Sequence, residues 1–128
     1  MKNSMSETWE FLNTCNSDNE CKEQVQTMID NGADVTAGDN CAVRWAAQMG
    51  HIETVRLLID YGADITDNDN WAVRFAARNG HIETVRLLIE HGADITARDN
   101  YAVRSAASLD HTEMVQFLIA NGATLPTK

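Results

Sequence analysis

Gly50–Ile59 reads GHIETVRLLI, and Gly80–Ile89 repeats these ten letters without a change. A related stretch, DHTEMVQFLI, stands another thirty residues on, at Asp110–Ile119. Residues 40–69 and 70–99 agree at 22 of 30 positions. A fixed period of this length is typical of repeat architectures, in which each copy is one small piece of supersecondary structure. We therefore expect a single unit to be copied along the chain.

The sequence pattern of each full unit predicts two helices. Asp39 and Asn40 are short polar residues just before an apolar run, which is an N-cap signal for a helix over Cys41–Gln48. A glycine that tolerates positive φ ends this helix. A second helix follows over Ile52–Asp60, where apolar residues recur at helical spacing around more than one face. The equivalent helices of the later units are expected at 71–78, 82–90, 101–108 and 112–120.

The first unit differs from the others. Its sequence predicts a polar leader, a helix with Trp9 and Leu12 on one side, and a second helix over about Glu20–Asp30. A terminal unit has one neighbour rather than two, so this divergence is typical of a cap. No unit can bury its apolar surface alone. The predicted units are 1–38 (the cap), 39–68, 69–98 and 99–128.

The chain is acidic, with a formal net charge of −9 and a pI of about 4.7. This charge disfavours sequence-independent binding to nucleic acid or to an anionic membrane surface, because both require basic patches. We therefore expect no nucleic-acid and no membrane partner. A solvated acidic surface and a basic protein partner are the two interpretations that remain.

Cysteine usage indicates the compartment. Cys15, Cys21 and Cys41 are odd in number and follow no metal-ligand spacing, so we expect free thiols in a reducing compartment. No apolar run approaches the ~18 residues of a membrane span, and the polar start Met1–Glu7 does not predict a signal peptide. The expected location is intracellular, either cytoplasmic or nuclear.

The stretch GHIETVRLLIDYGADIT resembles the second helix of the ankyrin repeat and its exit toward the next unit. The resemblance covers Cys41–Ala123 closely and Ser6–Ala37 loosely. It implies an all-α solenoid of four stacked helix-turn-helix units, each with a short β-hairpin finger. It also implies a non-catalytic protein that binds a protein partner through its concave helix and finger surface.

The resemblance has two departures. The period is 30 residues rather than 33, which shortens the finger. The T-P-L-H motif of the family reads here as Cys41-Ala42-Val43-Arg44, with Trp71 and Tyr101 at the first position of the next two copies. This short variant is similar to ankyrin sets encoded by giant DNA viruses, which implies a viral protein that acts on a partner inside the host cell.

Positions that vary between units predict the partner-binding residues, because packing residues must stay constant in a stack. They are Gln48, Met49, Asn68, Arg78, Asn79, Arg98, Ser108 and Leu109, with Trp71 and Tyr101 as anchors.

These aromatic residues have an alternative interpretation. Trp71 and Tyr101 fill the space left by the shortened finger in that interpretation, while Trp45 and Phe75 belong to the core. Arginine recurs without variation at 44, 74 and 104. We expect these three arginines to pair with Asp side chains or backbone carbonyls rather than to recognise a partner.

The sequence predicts no catalytic, cofactor or metal site. His51, His81 and His111 recur once per unit, but neighbouring helices about 8–10 Å apart are too distant for two such rings to share a zinc ion. We expect them to serve the turn between the two helices. Asp67-Asn68-Asp69 begins like a calcium loop, yet the glycine and glutamate that such a loop requires are missing.

A structural or self-associating module is the alternative function, although a monomer is the main expectation. The second helix of the last unit is apolar on much of its surface, so an under-capped end could stack on another copy. Its apolar residues are Met114, Val115, Phe117, Leu118 and Ile119.

Overall fold

A computed structural model gives the structure of the protein and describes residues 15–125. Over that range the chain forms seven helices and no strand, which confirms the predicted all-α repeat solenoid. The helix expected around Trp9 lies outside the described residues. The helices are α1 (Asp18–Asp30), α2 (Ala37–Met49), α3 (Ile52–Asp60), α4 (Asp67–Arg78), α5 (Ile82–Glu90), α6 (Ala97–Ser108) and α7 (Thr112–Ala120).

The helices are arranged in a row of units that is two helix layers thick. The first helices α2, α4 and α6 pack side by side, and α1, α3 and α5 pack in the same order behind them. Each first helix also packs on the second helix of its own unit, and Arg86 on α5 lies over the ring of Phe117 on α7. Val73 and Leu88 are fully buried in one core that runs through all units. The alanine pairs beside them are small enough to let the helices approach closely.

Each link between units begins with the same hydrogen-bonded turn. Asp64 Oδ1 accepts hydrogen bonds from the backbone N–H of Thr66 at 2.9 Å and from its hydroxyl at 2.7 Å. These bonds hold the pKa of Asp64 below its usual value. The pairs Asp34–Thr36 and Asp94–Thr96 repeat this turn.

A left-handed turn follows in each link. Asn68, Asp69 and Asn70 have φ values of 57, 57 and 61°, and a right-handed helix continues from Trp71 as predicted. The β-hairpin finger implied by the family resemblance is wrong for the described links. Because each unit is three residues shorter than the usual ankyrin unit, the two turns occupy the whole of each link, and no strand forms there.

The asparagine before each first helix does not cap its own helix, contrary to our expectation. An N-cap residue is normally extended, whereas Asn40, Asn70 and Asn100 are left-handed. Their side-chain oxygens instead accept from the backbone N–H of Asp64 at 2.7 Å, of Asp94 at 2.8 Å and of Thr124 at 3.1 Å. Each asparagine therefore joins the start of its first helix to the segment that follows the second helix of the same unit.

Helix α3 is capped by a residue from the preceding unit. The carboxylate of Asp18 accepts from the backbone N–H of Glu53 at 2.7 Å and of Thr54 at 3.0 Å, while His51, at the N-cap position, makes no such bond. The buried hydroxyl of Thr54 also donates to this carboxylate, at 2.8 Å. The cap unit is thus attached to the next unit by polar contacts as well as by packing.

The expectation of three free thiols is wrong for two of the cysteines. Cys15 and Cys21 form a disulfide across a Cα–Cα distance of 5.6 Å, because the turn before α1 brings Cys15 back beside the first turns of that helix. Cys41 is buried and lies outside this disulfide. In the part of the chain that the structure describes, no helix is long and apolar enough to cross a membrane.

Candidate functional site

One stripe of the first helices faces away from the core. Residues spaced i, i+3, i+4 and i+7 lie on one face of a helix, and in α4 these are Trp71, Arg74, Phe75 and Arg78. The intervening Val73 and the alanine pair point inward and are fully buried. We call the stripe across α2, α4 and α6 the arginine–aromatic face, defined by Arg44, Trp71, Arg74, Phe75, Arg78, Tyr101 and Arg104.

The aromatic rings of this face form a continuous stack. Trp71 lies on Phe75 with ring centroids 4.0 Å apart, and Phe75 meets Tyr101 of the next unit at 5.7 Å. All three side chains are half-buried. The expectation that Phe75 belongs to the core is wrong, since it lies in the outward stripe and stays partly exposed. Trp45 is also partly exposed, but it packs against the core. Trp71 and Tyr101 do pack, as one interpretation held, and their partly exposed surface leaves the anchor role as a prediction.

The invariant arginines hold the left-handed turns, as predicted. Arg74 Nε donates to the carbonyl of Asp69 at 2.9 Å, and its Nη2 donates to that of Asn68 at 3.0 Å. Arg44 and Arg104 make the same two bonds in their own units, at 2.8 to 3.2 Å. Each turn is therefore fixed by the helix that follows it.

The same arginines also tie neighbouring units together. Arg44 lies 5.2 Å from the ring of Trp71, and Arg74 lies 5.2 Å from the ring of Tyr101, within cation–π range. Arg74 is only 7% exposed. Burial lowers the pKa of Arg74, and the positive charge of Arg98 lowers it further. A guanidinium has so high an intrinsic pKa that Arg74 stays charged at neutral pH.

The structure divides the predicted binding residues into three groups. Trp71, Arg78 and Tyr101 come together on the face, where Arg78 Nη1 donates to the Tyr101 hydroxyl at 3.2 Å. Asn68 and Arg98 lie in the left-handed turns, where Arg98 also pairs with Asp69 at 3.1 Å. The ends of the first helices carry the rest, which are Gln48, Met49, Asn79, Ser108 and Leu109.

The helix-end group is only partly connected. Asn79 Nδ2 donates to the carbonyl of Gln48 at 3.1 Å, and this bond joins the ends of α2 and α4. Leu109, at the end of α6, is 48% exposed. Our sequence reasoning did not place Arg44, Arg74, Phe75 or Arg104 at the site. Arg74 and Phe75 follow Trp71 by three and four residues, and Arg104 follows Tyr101 by three, so helical spacing could have shown that they share the face. Arg44 occupies the equivalent position of α2.

An open pocket of about 440 Å³ lies where the face meets the left-handed turns. Arg44, Trp71, Arg74 and Arg98 line it, together with Asp39, Asn68 and Asp69. Because Asp69 is already paired with Arg98, the pocket has a surplus of positive charge. A pocket of this kind suits an anionic group beside an aromatic surface.

The three histidines line the turns between helices, as predicted. A Cβ added to Gly50 would lie 2.5 Å from His81 Nδ1, and the same addition at Gly80 would lie 3.2 Å from the ring of His111. Burial lowers the pKa of His81, partly offset by its hydrogen bond to the backbone of Gln48. Among residues 15–125, no cluster of His, Cys, Asp or Glu has the arrangement of a metal site.

Comparison with known families agrees with this architecture. A family model described as ankyrin repeats (3 copies) matches residues 11–99 and 69–128, so the two matches together span residues 11–128 of the 128-residue chain. A comparison with curated proteins finds no match.

Proposed function

Because the chain belongs to the ankyrin-repeat family, we propose that it binds a protein partner through the arginine–aromatic face and the residues around it. Ankyrin repeats are in general protein–protein interaction modules and are generally non-catalytic. The observation that carries the proposal is the half-exposed stack of Trp71, Phe75 and Tyr101 with arginines over it. Aromatic residues and arginine are the types that most often dominate binding energy at interfaces.

The stack is fixed before a partner arrives. Arg74 donates hydrogen bonds to two carbonyls, and Arg78 donates one to the Tyr101 hydroxyl. Trp71 stacks on Phe75 and makes a cation–π contact with Arg44. Ordering a flexible side chain on binding costs about 0.5–1.5 kcal/mol, so a prepared surface avoids part of this cost. The mechanism we propose is therefore the display of a rigid surface.

The proposed contact set combines the anchors with their rim. Trp71, Tyr101 and Arg78 make the central contacts. Residues of the left-handed turns and helix ends surround them. These are the half-buried Gln48 and Met49 and the exposed Asn68, Asn79, Arg98, Ser108 and Leu109. This arrangement would give an apolar and cationic centre with a mainly polar border, as at many specific interfaces.

Affinity capture from a cell extract tests the proposal. The double variant Trp71→Ala/Arg78→Ala should lose a partner that the unaltered chain retains, while Arg56→Ala should keep it. Arg56 is a suitable control because it lies on α3 in an exposed pair with Glu53. Circular dichroism must show both variants folded. Retention of every partner by the folded double variant would refute this binding face.

The 30-residue period supports a finer proposal about the setting. On the resemblance of this short period to ankyrin sets of giant DNA viruses, we propose that the chain is a viral protein and that its partner is a host-cell protein. Capture from host cytosolic and nuclear extracts, run in parallel with extract from an unrelated cell type, tests this point. A partner retained equally from all three would argue against a host-specific role.

Self-association is the second candidate function. Met114 and Leu118 of α7 face the core, whereas Ile119 is 46% exposed and Val115 and Phe117 are half-buried. This apolar surface could stack against a second copy. Sedimentation at several concentrations tests the idea, with Ile119→Glu as the matched variant. A mass that stays monomeric at all concentrations would remove this candidate.

A further inference from the structure

We infer that the partner segment on the arginine–aromatic face is an acidic, extended peptide with a carboxylate at about every third residue. The inference rests on the proposed function, since it specifies the chemistry of the partner for the same face. It comes from how charge, free N–H groups and repeat spacing are distributed in this chain.

The two helix layers differ in net charge. The right-handed parts of the first helices, 41–48, 71–78 and 101–108, contain four arginines and no acidic residue. The turns at their starts add Arg98 and four aspartates, so that α2, α4 and α6 together carry five arginines and four acidic residues. The second helices α3, α5 and α7 contain five acidic residues and two arginines. Although the whole chain carries −9, charges more than about 8 Å away are largely screened at physiological salt. A segment that approaches the first helices therefore meets a small excess of positive charge, whereas the second helices present an excess of negative charge.

The arginines of the face retain unused donors. Arg44, Arg74 and Arg104 use Nε and Nη2 for the carbonyls of their turns, and no acceptor for their Nη1 atoms lies within residues 15–125. The Nη1–Nη2 edge is thus available as a fork in the half-buried Arg44 and the exposed Arg104, whereas Arg74, only 7% exposed, offers little of this edge to a partner. A carboxylate matches such a fork with two parallel hydrogen bonds, which are stronger than neutral ones.

The pocket beside the face is the natural seat for one of these carboxylates. Arg44, Arg74 and Arg98 line it from two neighbouring units and from the next turn. Asp39 also lines the pocket and offsets part of their charge, while Asp69 is paired with Arg98 at 3.1 Å. The remaining balance is positive, so a carboxylate is favoured there and a lysine or arginine of a partner is disfavoured.

The spacing of the units selects the peptide conformation. Arg44, Arg74 and Arg104 recur once per unit, and neighbouring packed helices lie about 8–10 Å apart. A polyproline II segment has three residues per turn and rises about 3.1 Å per residue, so every third side chain returns to one face after about 9 Å. A β-strand returns after two residues, at about 7 Å, which is too short. Aromatic-lined grooves are a known platform for polyproline II segments, and Trp71 and Tyr101 supply the rings.

Synthetic peptides test the inference directly. The probe is a fluorescently labelled peptide of repeated Glu-Pro-Pro triplets, and its matched control has the same composition with all glutamates grouped at one end. A third peptide replaces glutamate by glutamine. We expect the triplet peptide to bind at least about tenfold more tightly than either control, and more weakly as salt is raised. Equal binding of the triplet and grouped peptides would overturn the spacing argument.

Two double variants locate the binding. Arg78→Gln/Arg98→Gln alters an exposed arginine of the face and an exposed arginine of the pocket beside it, whereas Arg56→Gln/Arg86→Gln makes the same change in net charge on the second helices. We expect the first to weaken triplet-peptide binding by about tenfold and the second by less than about twofold. Equal losses would mean unspecific attraction and would overturn the inference.

The inference and the proposed function fail separately. If no acidic peptide binds, but a partner is still captured through Trp71 and Arg78, the inference falls and the proposed function stands. If sedimentation shows that a second copy occupies the face, the inference also falls, because the occupant is then not an acidic extended peptide. If capture is independent of the face, both are wrong.

Discussion

Replacing Arg74 by alanine tests whether the arginines of the face stabilise the solenoid. The guanidinium donates to the carbonyls of Asp69 and Asn68 at 2.9 and 3.0 Å and lies 5.2 Å from the Tyr101 ring. Both carbonyls belong to a turn of three left-handed residues. Left-handed backbone costs an ordinary L-residue about 1–2 kcal/mol, so these hydrogen bonds hold a conformation that the chain would otherwise resist.

The expected loss follows from these contacts. A hydrogen bond to a charged group contributes about 1.5–3 kcal/mol, and a cation–π contact about 0.5–2 kcal/mol. Asn68 and Asp69 are exposed, so water replaces the lost bonds in part. We therefore expect Arg74→Ala to lower the free energy of unfolding by about 2–4 kcal/mol. For a chain of this size, that corresponds to a fall in Tm of roughly 10 °C.

Two arginines serve as controls in urea unfolding followed by circular dichroism. Arg104 makes the same two bonds, at 2.8 and 3.1 Å, but its side chain is exposed, so we expect a smaller loss of about 1 kcal/mol. Arg56 makes only an exposed 3.7 Å pair with Glu53, so its replacement should cost close to nothing. If Arg74→Ala unfolded within about 0.5 kcal/mol of the unaltered protein, the stabilising role of this arginine would be refuted.

Gly50→Ala puts a Cβ 2.5 Å from His81 Nδ1 at a φ of 75°, so we expect it to lower the free energy of unfolding by about 2–3 kcal/mol. Gly62→Ala puts its Cβ in open space at a φ of 100° and should lower it by about 1 kcal/mol, a difference that the midpoints of urea unfolding measure. Burial lowers the pKa of His81 below its ordinary 6.5, so as pH falls below 6.5 this histidine takes up a proton more readily in the unfolded chain than in the folded one. The free energy of unfolding should therefore decrease with falling pH, and it should decrease less in His81→Gln. Asn40→Ala removes bonds of 2.7 and 2.8 Å to the next link and should cost about 2 kcal/mol in urea unfolding.

Each of these expectations has a contradicting result. Equal losses for the two glycine variants would show that the contact with His81 relaxes without cost. A pH profile unchanged by His81→Gln would show that the buried His81 is not the source of the acid sensitivity. An Asn40→Ala variant as stable as the unaltered chain would mean that these two bonds do not stabilise the link that follows α3.

The helices could be predicted because their signal is local and repeated. The period fixes the unit, and apolar residues at helical spacing predicted α3, α5 and α7 with the bounds that the structure has. The right-handed parts of the first helices also begin where the sequence placed them, at Cys41, Trp71 and Tyr101. Because the same apolar pattern occurs in several units, a helix predicted from it has more support than one predicted from a single stretch of sequence.

The links could not be predicted, because their structure depends on residues far apart in the chain. Asn40 is a good N-cap type, yet the same residue type also tolerates the left-handed conformation, and its bond to Asp64 decides between the two. The cap of α3 by Asp18 and the Cys15–Cys21 disulfide are likewise contacts that no periodicity reveals.

The candidate site was predicted only in part, because residues were selected by their variation between units. Variation between units selected Trp71, Arg78 and Tyr101, which the structure brings into one stack. The same criterion set aside Arg44, Arg74 and Arg104, since they do not vary. An arginine can hold its own turn with one edge and still present the other edge on the surface, so constancy between units does not remove it from a binding face.

Chemical-shift mapping by NMR tests most directly whether the arginine–aromatic face binds the partner segment. An isotopically labelled chain is titrated with the Glu-Pro-Pro peptide, and the shifts are assigned to residues. We predict the largest changes at the Trp71 indole, at Tyr101 and at the side-chain N–H groups of Arg74 and Arg78, with little change on α3 and α5. Largest changes on the second helices, or changes spread evenly over both layers, would contradict the binding face.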